Sequence, residues 1–353
     1  MTNKLFNQKI GRRALLRGVA GAAGAVAIGM PYVARAESKG RIVVGTWGGD
    51  YARLLNKNIE KPFLIPQGWD VVQAQAGDPE RRAKMLAERR LPRGSSDVQG
   101  LNGPTMYQMY HLGVTQKIDY DKIPNASHLL PTMKFEYGVG HIYSGMVPVF
   151  DPKLSTKPAS YKEVFDPKFG DKLGIIDIQY QYTIVAASLA AGGSLTNLEP
   201  GKKLLLEIRK AGARIYPTNE AFAQGLKTQE IDIGIMWKAR TVQWQNAGIE
   251  VESTAPSEGA LLYISGFVIP KNAPDVDGAY AYLNAMLEPA AQQEFAKDMG
   301  YNPTADNAEI PDELNKRIGF TKAEIANLKN LDFGYMSDHD VELKNWWDKE
   351  FKG

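Results

Sequence analysis

The sequence predicts an α/β protein of two lobes, each a mixed sheet flanked by helices. Three observations carry that reading. The chain has 353 residues, too many for one simple core and enough for two lobes of roughly 150 residues each. Apolar residues make up 44% and charged residues 23% of it, which excludes disordered, collagen-like and coiled-coil classes. Strand and helix signals alternate in two blocks, about 40–140 and 150–265, before a helical tail; such βα alternation builds parallel sheet with helices packed on it.

Residues 41–45 form a short buried strand, Thr46–Asp50 a turn, and Tyr51–Glu60 a helix ended by Pro62. Trp69–Gln75 is a second strand. Asp78 caps a helix that has Pro79 at its first position and runs to about Arg90. Asp97–Leu101 is a third strand, and Asn102-Gly103 caps a helix that starts with Pro104. Tyr137–Phe150 reads as one or two extended segments.

In the second block, Tyr161–Phe165, Tyr180–Ala191, Pro200–Ala211, Asn219–Gly225 and Thr241–Ala247 read as helices. Leu173–Ile178, Arg214–Pro217, Ile231–Trp237, Ile249–Glu252 and the apolar Leu261–Ile269 read as strands. The tail is helical over Gly278–Leu287, Ala290–Asp298, Asp312–Arg317, Lys322–Leu328 and Asp340–Lys349. Ser144-Gly145 and Ser265-Gly266 place a small residue and a glycine inside extended runs. Such joints can absorb backbone rotation, or mark a bulge or a close packing point.

The absence of Cys excludes disulfide scaffolds, thiolate zinc sites, iron–sulfur clusters and cysteine nucleophiles. Only four His occur (His111, His128, His141, His339). The first 36 residues carry six cations (Lys4, Lys9, Arg12, Arg13, Arg17, Arg35) and no acid, leaving 36 basic against 40 acidic residues, a net −4, for residues 37–353. That balance argues against nucleic-acid binding. A basic head, the apolar Val19–Met30 and the small-x-small Ala34-Arg35-Ala36 follow the order of a secretory signal peptide. The apolar run is too short to span a membrane. Gly11-Arg12-Arg13-Ala14-Leu15-Leu16-Arg17 is similar to a twin-arginine signal. Export with cleavage near Ala36 is expected; an amphipathic helix of a cytoplasmic protein is the alternative.

Enzyme signatures are missing: no G-x-S-x-G, H-E-x-x-H or G-x-x-x-x-G-K-[ST] occurs. Asp338-His339-Asp340 holds three adjacent ligand types that cannot wrap one ion, and reads as a solvated helix start. What remains is binding chemistry. Trp47 sits in a glycine-rich turn after a strand, Trp237 ends a strand, and Tyr263 precedes Gly266. Ligands of open α/β sheets bind outside strand C-termini, where aromatics offer flat walls. Core packing is the plain alternative for each alone.

These pieces together resemble the extracellular solute-binding proteins of ABC importers, in the spermidine/putrescine-binding group. The matching segments are Val43-Val44-Gly45-Thr46-Trp47-Gly48-Gly49, Ser96-Asp97-Val98 with Asn102, Leu112–Asp119, Phe165–Leu173, Ile233-Gly234-Ile235-Met236-Trp237 and Gly300-Tyr301-Asn302-Pro303. The resemblance covers 38–353 and implies a two-lobed periplasmic binding protein fold of type II, with hinge strands between lobes. It places a signal at 1–36, one lobe over 38–144 plus about 266–305, and the other over about 145–265 plus about 306–353.

It also implies a ligand site, taken residue by residue. Trp47 and Tyr263 would be walls and Trp237 the opposing wall. Asn102, Gln179, Tyr182 and Ser265 would be polar contacts, with Lys238 supplying charge. Asp50 would stand near the family's first-strand acid. Polyamine binders hold each ammonium with carboxylates, but this sequence has Gln179-Tyr180-Gln181-Tyr182 and Ser265 where the family carries acids. A buried unpaired ammonium costs several kcal/mol, roughly a thousandfold in affinity. A neutral or anionic ligand, carboxylate or amino-acid-like, is therefore expected, with polyamine binding the alternative. The paired tyrosines by which related importer proteins hold ferric iron are missing after Trp237, so neither metal nor cofactor is expected. The expected protein is a periplasmic monomer that delivers its solute to a membrane permease with its ATPase. A secreted enzyme and a binder serving no importer are the alternatives.

Overall fold

The computed structural model describes residues 38–154 and 156–353. The expected export signal over 1–36 lies outside the described residues.

Strand β1 (Gly40–Thr46) opens the fold. Ile42, Val44 and Thr46 alternate onto one face and are fully buried. Helix α1 (Gly49–Leu55) runs on into a π-helical segment, Asn56–Leu64, that carries Pro62 inside it. Pro62 therefore does not end the helix, because the widened winding accommodates its ring and missing N–H. The helical run stops at Gly68, in the left-handed region with φ 94°. Strand β2 (Trp69–Gln75) pairs parallel with β1 along its length. Helix α2 (Asp78–Glu88) is entered from an extended Gly77, so Asp78 lies in the first turn and is not the cap. Strand β3 (Val98–Asn102) flanks β1 on the other side. Helix α3 (Gly103–His111) follows, and Asn102 Oδ1 accepts from Thr105 N–H at 3.0 Å.

Strands β4 (Lys134–Phe135) and β5 (Gly138–Phe150) follow, β5 being a single strand of 13 residues. Then come α4 (Tyr161–Val164), β6 (Gly174–Ile176), α5 (Tyr180–Ala190), α6 (Glu199–Lys210), β7 (Arg214–Tyr216) and α7 (Asn219–Lys227). After β8 (Ile233–Trp237), helix α8 (Lys238–Asn246) starts at once, earlier than the sequence spacing predicts. Strands β9 (Glu252–Ser253) and β10 (Leu261–Val268) lead to α9 (Val276–Ala285), α10 (Pro289–Met299) and β11 (Asn302–Pro303). The tail is α11 (Asp312–Ile318), α12 (Lys322–Ala326) and α13 (Phe333–Trp346). Helix α13 begins well before Asp340, because Asp332 caps it by accepting from Tyr335 N–H at 2.9 Å. Asp338-His339-Asp340 is thus mid-helix and not a solvated start. Asp340 accepts from Gln181 Nε2 at 2.7 Å and from the Tyr180 hydroxyl.

The main sheet runs β11-β5-β10-β3-β1-β2, with β8 and β9 on the far half of β5. Two cores form. One gathers Ile42, Val44, Leu101, Phe267, Tyr282 and Phe295; the other gathers Val149, Phe150, Tyr161, Phe222, Ile235 and Trp347. Strand β5 joins them. It pairs with β10 from Val139 to Met146, and with β8 from Met146 to Phe150. At the changeover the buried Tyr161 hydroxyl donates to Met146 O at 2.7 Å and accepts from Leu261 N–H at 3.1 Å. The register shifts between Ser265 and Gly266, and a Cβ on Gly266 would meet Val139 O at 2.3 Å. That joint is both a bulge and a close backbone approach.

Tyr161→Phe leaves the Met146 carbonyl and Leu261 N–H without this shared partner in a dry position. Urea unfolding should show a loss of about 1–3 kcal/mol; an unchanged midpoint would mean that the hydroxyl is dispensable at the changeover.

Candidate functional site

A cleft of about 820 Å³ opens across the changeover of β5. That volume suits a small organic ligand. Trp47, Asp50, Asn102, Gln179, Tyr182, Trp237, Tyr263 and Ser265 all line it. Lys238 does not. Its Nζ donates to Gly319 O and lies 4.7 Å from the Phe320 ring centroid. Burial lowers its pKa from the ordinary lysine value.

Trp47 projects from the turn after β1 because Gly48 and Gly49 turn the chain there, Gly49 with φ 67°. Its ring meets Tyr51 edge-on at 5.3 Å. From within the protein, the Arg81 guanidinium sits over the indole at 4.6 Å, a favourable cation–π arrangement. Arg81 is 4% exposed. Its Nε donates to Ala76 O at 3.0 Å and its Nη1 to Gly100 O at 2.5 Å, while Nη2 is buried without a hydrogen bond. Burial lowers its pKa, yet an arginine keeps its proton in proteins.

The expectation of two opposing aromatic walls changes into a continuous floor. Tyr182 meets Trp237 edge-on at 4.6 Å, Trp237 lies tilted on Tyr263 at 4.7 Å, and Tyr263 reaches Tyr301 at 5.8 Å. Trp237 and Tyr263 touch, because β8 and β10 are both neighbours of β5 at Met146. Burial raises the pKa values of Tyr182, Tyr263 and Tyr301, so the floor is uncharged at neutral pH.

The polar contacts differ in how free they are. Asn102 spends Oδ1 on Thr105 N–H, and Pro104 has no N–H of its own, so this helix start offers an anion fewer donors than its sequence promises. Ser265 lies opposite Asn102 in the sheet, and its Oγ is buried without a well-formed hydrogen bond. Tyr182 Oη is turned to Leu262 O at 3.4 Å. Gln179 Nε2 donates to Asn219 Oδ1 at 3.3 Å. Asp50 is paired with Arg53 at 3.1 Å.

Residues that sequence reading passed over also line it, among them Tyr51, Arg240, Gln243, Asp298 and Tyr301. Tyr301 carried a signal, since it follows Gly300 in the quoted turn. Arg240 carried one too, being three residues beyond Trp237 on a helix. Arg81 carried none, because it approaches from behind. Tyr51 Oη is 3.0 Å from His141 Nδ1.

A two-lobed α/β protein with an aromatic-floored cleft across its crossing strands has the build of a solute-binding protein. The chain belongs to the bacterial extracellular solute-binding protein family, whose model matches residues 61–322. It is 24% identical over 327 residues to the spermidine/putrescine-binding periplasmic protein of Escherichia coli K12, covering 86% of this chain and 89% of that one. Among solved structures it is similar to an ABC transporter protein of Clostridium perfringens, with TM-score 0.75 and 24% identity over 87% of this chain and 99% of that one. It is also similar to the Atu4243 GABA receptor, with TM-score 0.76 and 22% identity over 87% of this chain and 96% of that one. The structural likenesses establish the two-lobed fold.

His141, fully buried behind Tyr51, has its pKa pushed down to about 3 by burial. The unfolded chain takes up a proton near pH 6.5 that the native state refuses, so stability falls as pH drops from about 6.5 towards 3. Between pH 7 and pH 5 this residue should contribute about 2 kcal/mol of lost stability. His141→Gln should flatten that part of the pH profile of urea midpoints; parallel profiles for both proteins would assign the acid sensitivity elsewhere.

Proposed function

We propose that this chain is the substrate-binding component of an ABC importer, acting in the periplasm, and that its solute is a small anionic or neutral organic molecule, with an amino-acid-like carboxylate the best fit. The observation that carries the reading is where the charges lie. Arg81 backs Trp47 at 4.6 Å, and Arg240 lies beside the Tyr301 hydroxyl. A second cation on the open side of the Trp47 ring meets a quadrupole already engaged by an arginine.

Each acid on the cleft wall also faces a cation of the protein. Asp50 is 3.1 Å from Arg53, Asp298 is 2.7 Å from Lys57, and Glu220 is 3.8 Å from Arg240. A polyamine would have to pull these acids from their partners or leave its ammonium groups unpaired, and either costs affinity. Polyamine capture is the second reading, favoured by the name of the Escherichia coli relative and by the three wall carboxylates. The GABA receptor relative favours the first, since γ-aminobutyrate carries a carboxylate.

In this reading the solute settles on the floor between Trp47 and the Gln179–Tyr182 segment. Contacts made to both lobes exist only in the closed form, so the solute draws the protein closed by its difference in affinity for the two forms. The closed form then docks on the permease, which works with its ATPase. Nothing in the cycle requires covalent chemistry.

A calorimetric panel of diamines, spermidine, amino acids and carboxylates should return its tightest signal from a carboxylate-bearing solute. Sub-micromolar spermidine or putrescine binding would reverse that ranking and install the polyamine reading. For the best ligand, Trp47→Ala should weaken binding about tenfold or more, as expected for an aromatic anchor, with an unchanged circular dichroism spectrum. An equal dissociation constant in the two proteins would remove Trp47 from the site.

A further inference from the structure

Arg240 stands third in α8, on the cleft wall beside the aromatic floor. Its side chain is 28% exposed. Its Nε is buried without a hydrogen bond, and the guanidinium lies near the Tyr301 hydroxyl. Nη1 donates to Gln243 Oε1 at 3.1 Å, and the same Gln243 donates from Nε2 to Met299 O. The guanidinium is therefore held by Gln243 and neighbours Tyr301. Its nearest acid is Glu220, whose Oε1 lies 3.8 Å from the same Nη1 and which is itself 72% exposed. A surface pair at that separation contributes little and is readily exchanged. Nη2 makes no hydrogen bond within the described protein and is not among its buried atoms. The other cleft arginine, Arg53, is 61% exposed and gives both Nε and Nη2 to Asp50 at 3.1 Å, so it is already occupied.

We propose that Arg240 is the carboxylate-recognition residue of the cleft: a ligand carboxylate displaces Glu220 and accepts parallel N–H bonds from Nη1 and Nη2. The proposal rests on the anionic or neutral reading of the site and narrows it to organic carboxylates. Five N–H donors in a fixed fork match a carboxylate in two-bond geometry. Because Gln243 and Tyr301 already orient the fork, less ordering entropy is lost on binding. Glu220 then serves as a stand-in carboxylate while the cleft is empty. A diamine has no group that can take its place.

The test uses the exported chain and a matched five-carbon series: glutarate, 5-aminopentanoate, glutaramide and 1,5-diaminopentane, each read by thermal shift and calorimetry at up to millimolar concentration. At least one of the two carboxylates should bind the wild type, and the diamine should not. Arg240→Gln should weaken the best carboxylate by about 30-fold or more while changing glutaramide binding little. Arg240→Lys should recover only part of the affinity, since an ammonium cannot present the fork. Glu220→Gln should tighten the carboxylate about threefold by removing its competitor.

Wild-type carboxylate affinity in Arg240→Gln overturns the role of Arg240 and leaves the anionic reading standing. Binding of the diamine with no carboxylate response overturns both. No carboxylate response from the wild type also overturns the proposal. Should Arg240→Gln fail to fold by circular dichroism, Arg240→Lys and Glu220→Gln decide: unchanged affinity in both overturns it, and a loss in the first with a gain in the second upholds it.

Discussion

One strand belonging to two cores is the constraint on which the structure depends. Strand β5 hydrogen-bonds to β10 with its first half and to β8 with its second. It places Val139 and Ile142 in one core, and Met146, Val147 and Phe150 in the other. Neither core can form without fixing part of the other's sheet. The changeover at Met146 is where backbone partners switch, and Tyr161 fills the switch with one hydroxyl that both donates and accepts. Because the strands part there, a groove must open beside them. The residues at the ends of β8 and along β10 must then form its floor. The contact between Trp237 and Tyr263 follows from this topology.

The floor is apolar in shape and neutral in charge, which leaves selectivity to what surrounds it. Desolvated phenols keep their protons, so they donate and accept but carry no charge. Two arginines stand behind or beside the rings, Arg81 at Trp47 and Arg240 at the Tyr301 hydroxyl. Arg81 also lacks a partner on Nη2 and has its nearest acid, Asp78, at 4.0 Å. A buried cation so weakly countered projects positive potential through the thin aromatic layer in front of it. The acids on the wall, Asp50, Asp298 and Glu220, each face a cation of the protein.

Much of this was legible in the sequence where a local signal and the global need coincide. The alternation in β1 buries Ile42 and Val44, Asn102 caps α3, and the aromatics at strand ends reach the cleft. Reading failed where adjacency along the chain was taken for adjacency in space. Lys238 follows Trp237 directly, but successive residues in a helix diverge by about 100°. Lys238 therefore swings away to Gly319, and Arg240, two residues and about 200° further round the helix, returns to the cleft. Pro62 was misread for a different reason. The local rule against proline was overridden by packing, since Asn58, Ile59, Glu60 and Leu64 around it are all buried. Arg81 was invisible because its role is set by Gly100 and Trp47, which lie on other elements and leave no periodic trace.

Relatives that share this fold at about a quarter identity bear names for different solutes, and the geometry explains how that is possible. The fold fixes the place of the floor through backbone pairing, because the ends of β8 and β10 meet at the same stretch of β5 whatever side chains they carry. Polar and charged lining positions sit on separate supports: the start of α5, the first turn of α8, and the strand position two beyond Tyr263. Here those supports carry Gln179, Arg240 and Ser265. Gln179 and Arg240 are only partly buried, so each can change at less cost to packing than Ser265, which is 1% exposed. Substitutions at such lining positions can therefore change the chemistry of the cleft while the backbone pairing of β5 with β8 and β10 stays in place.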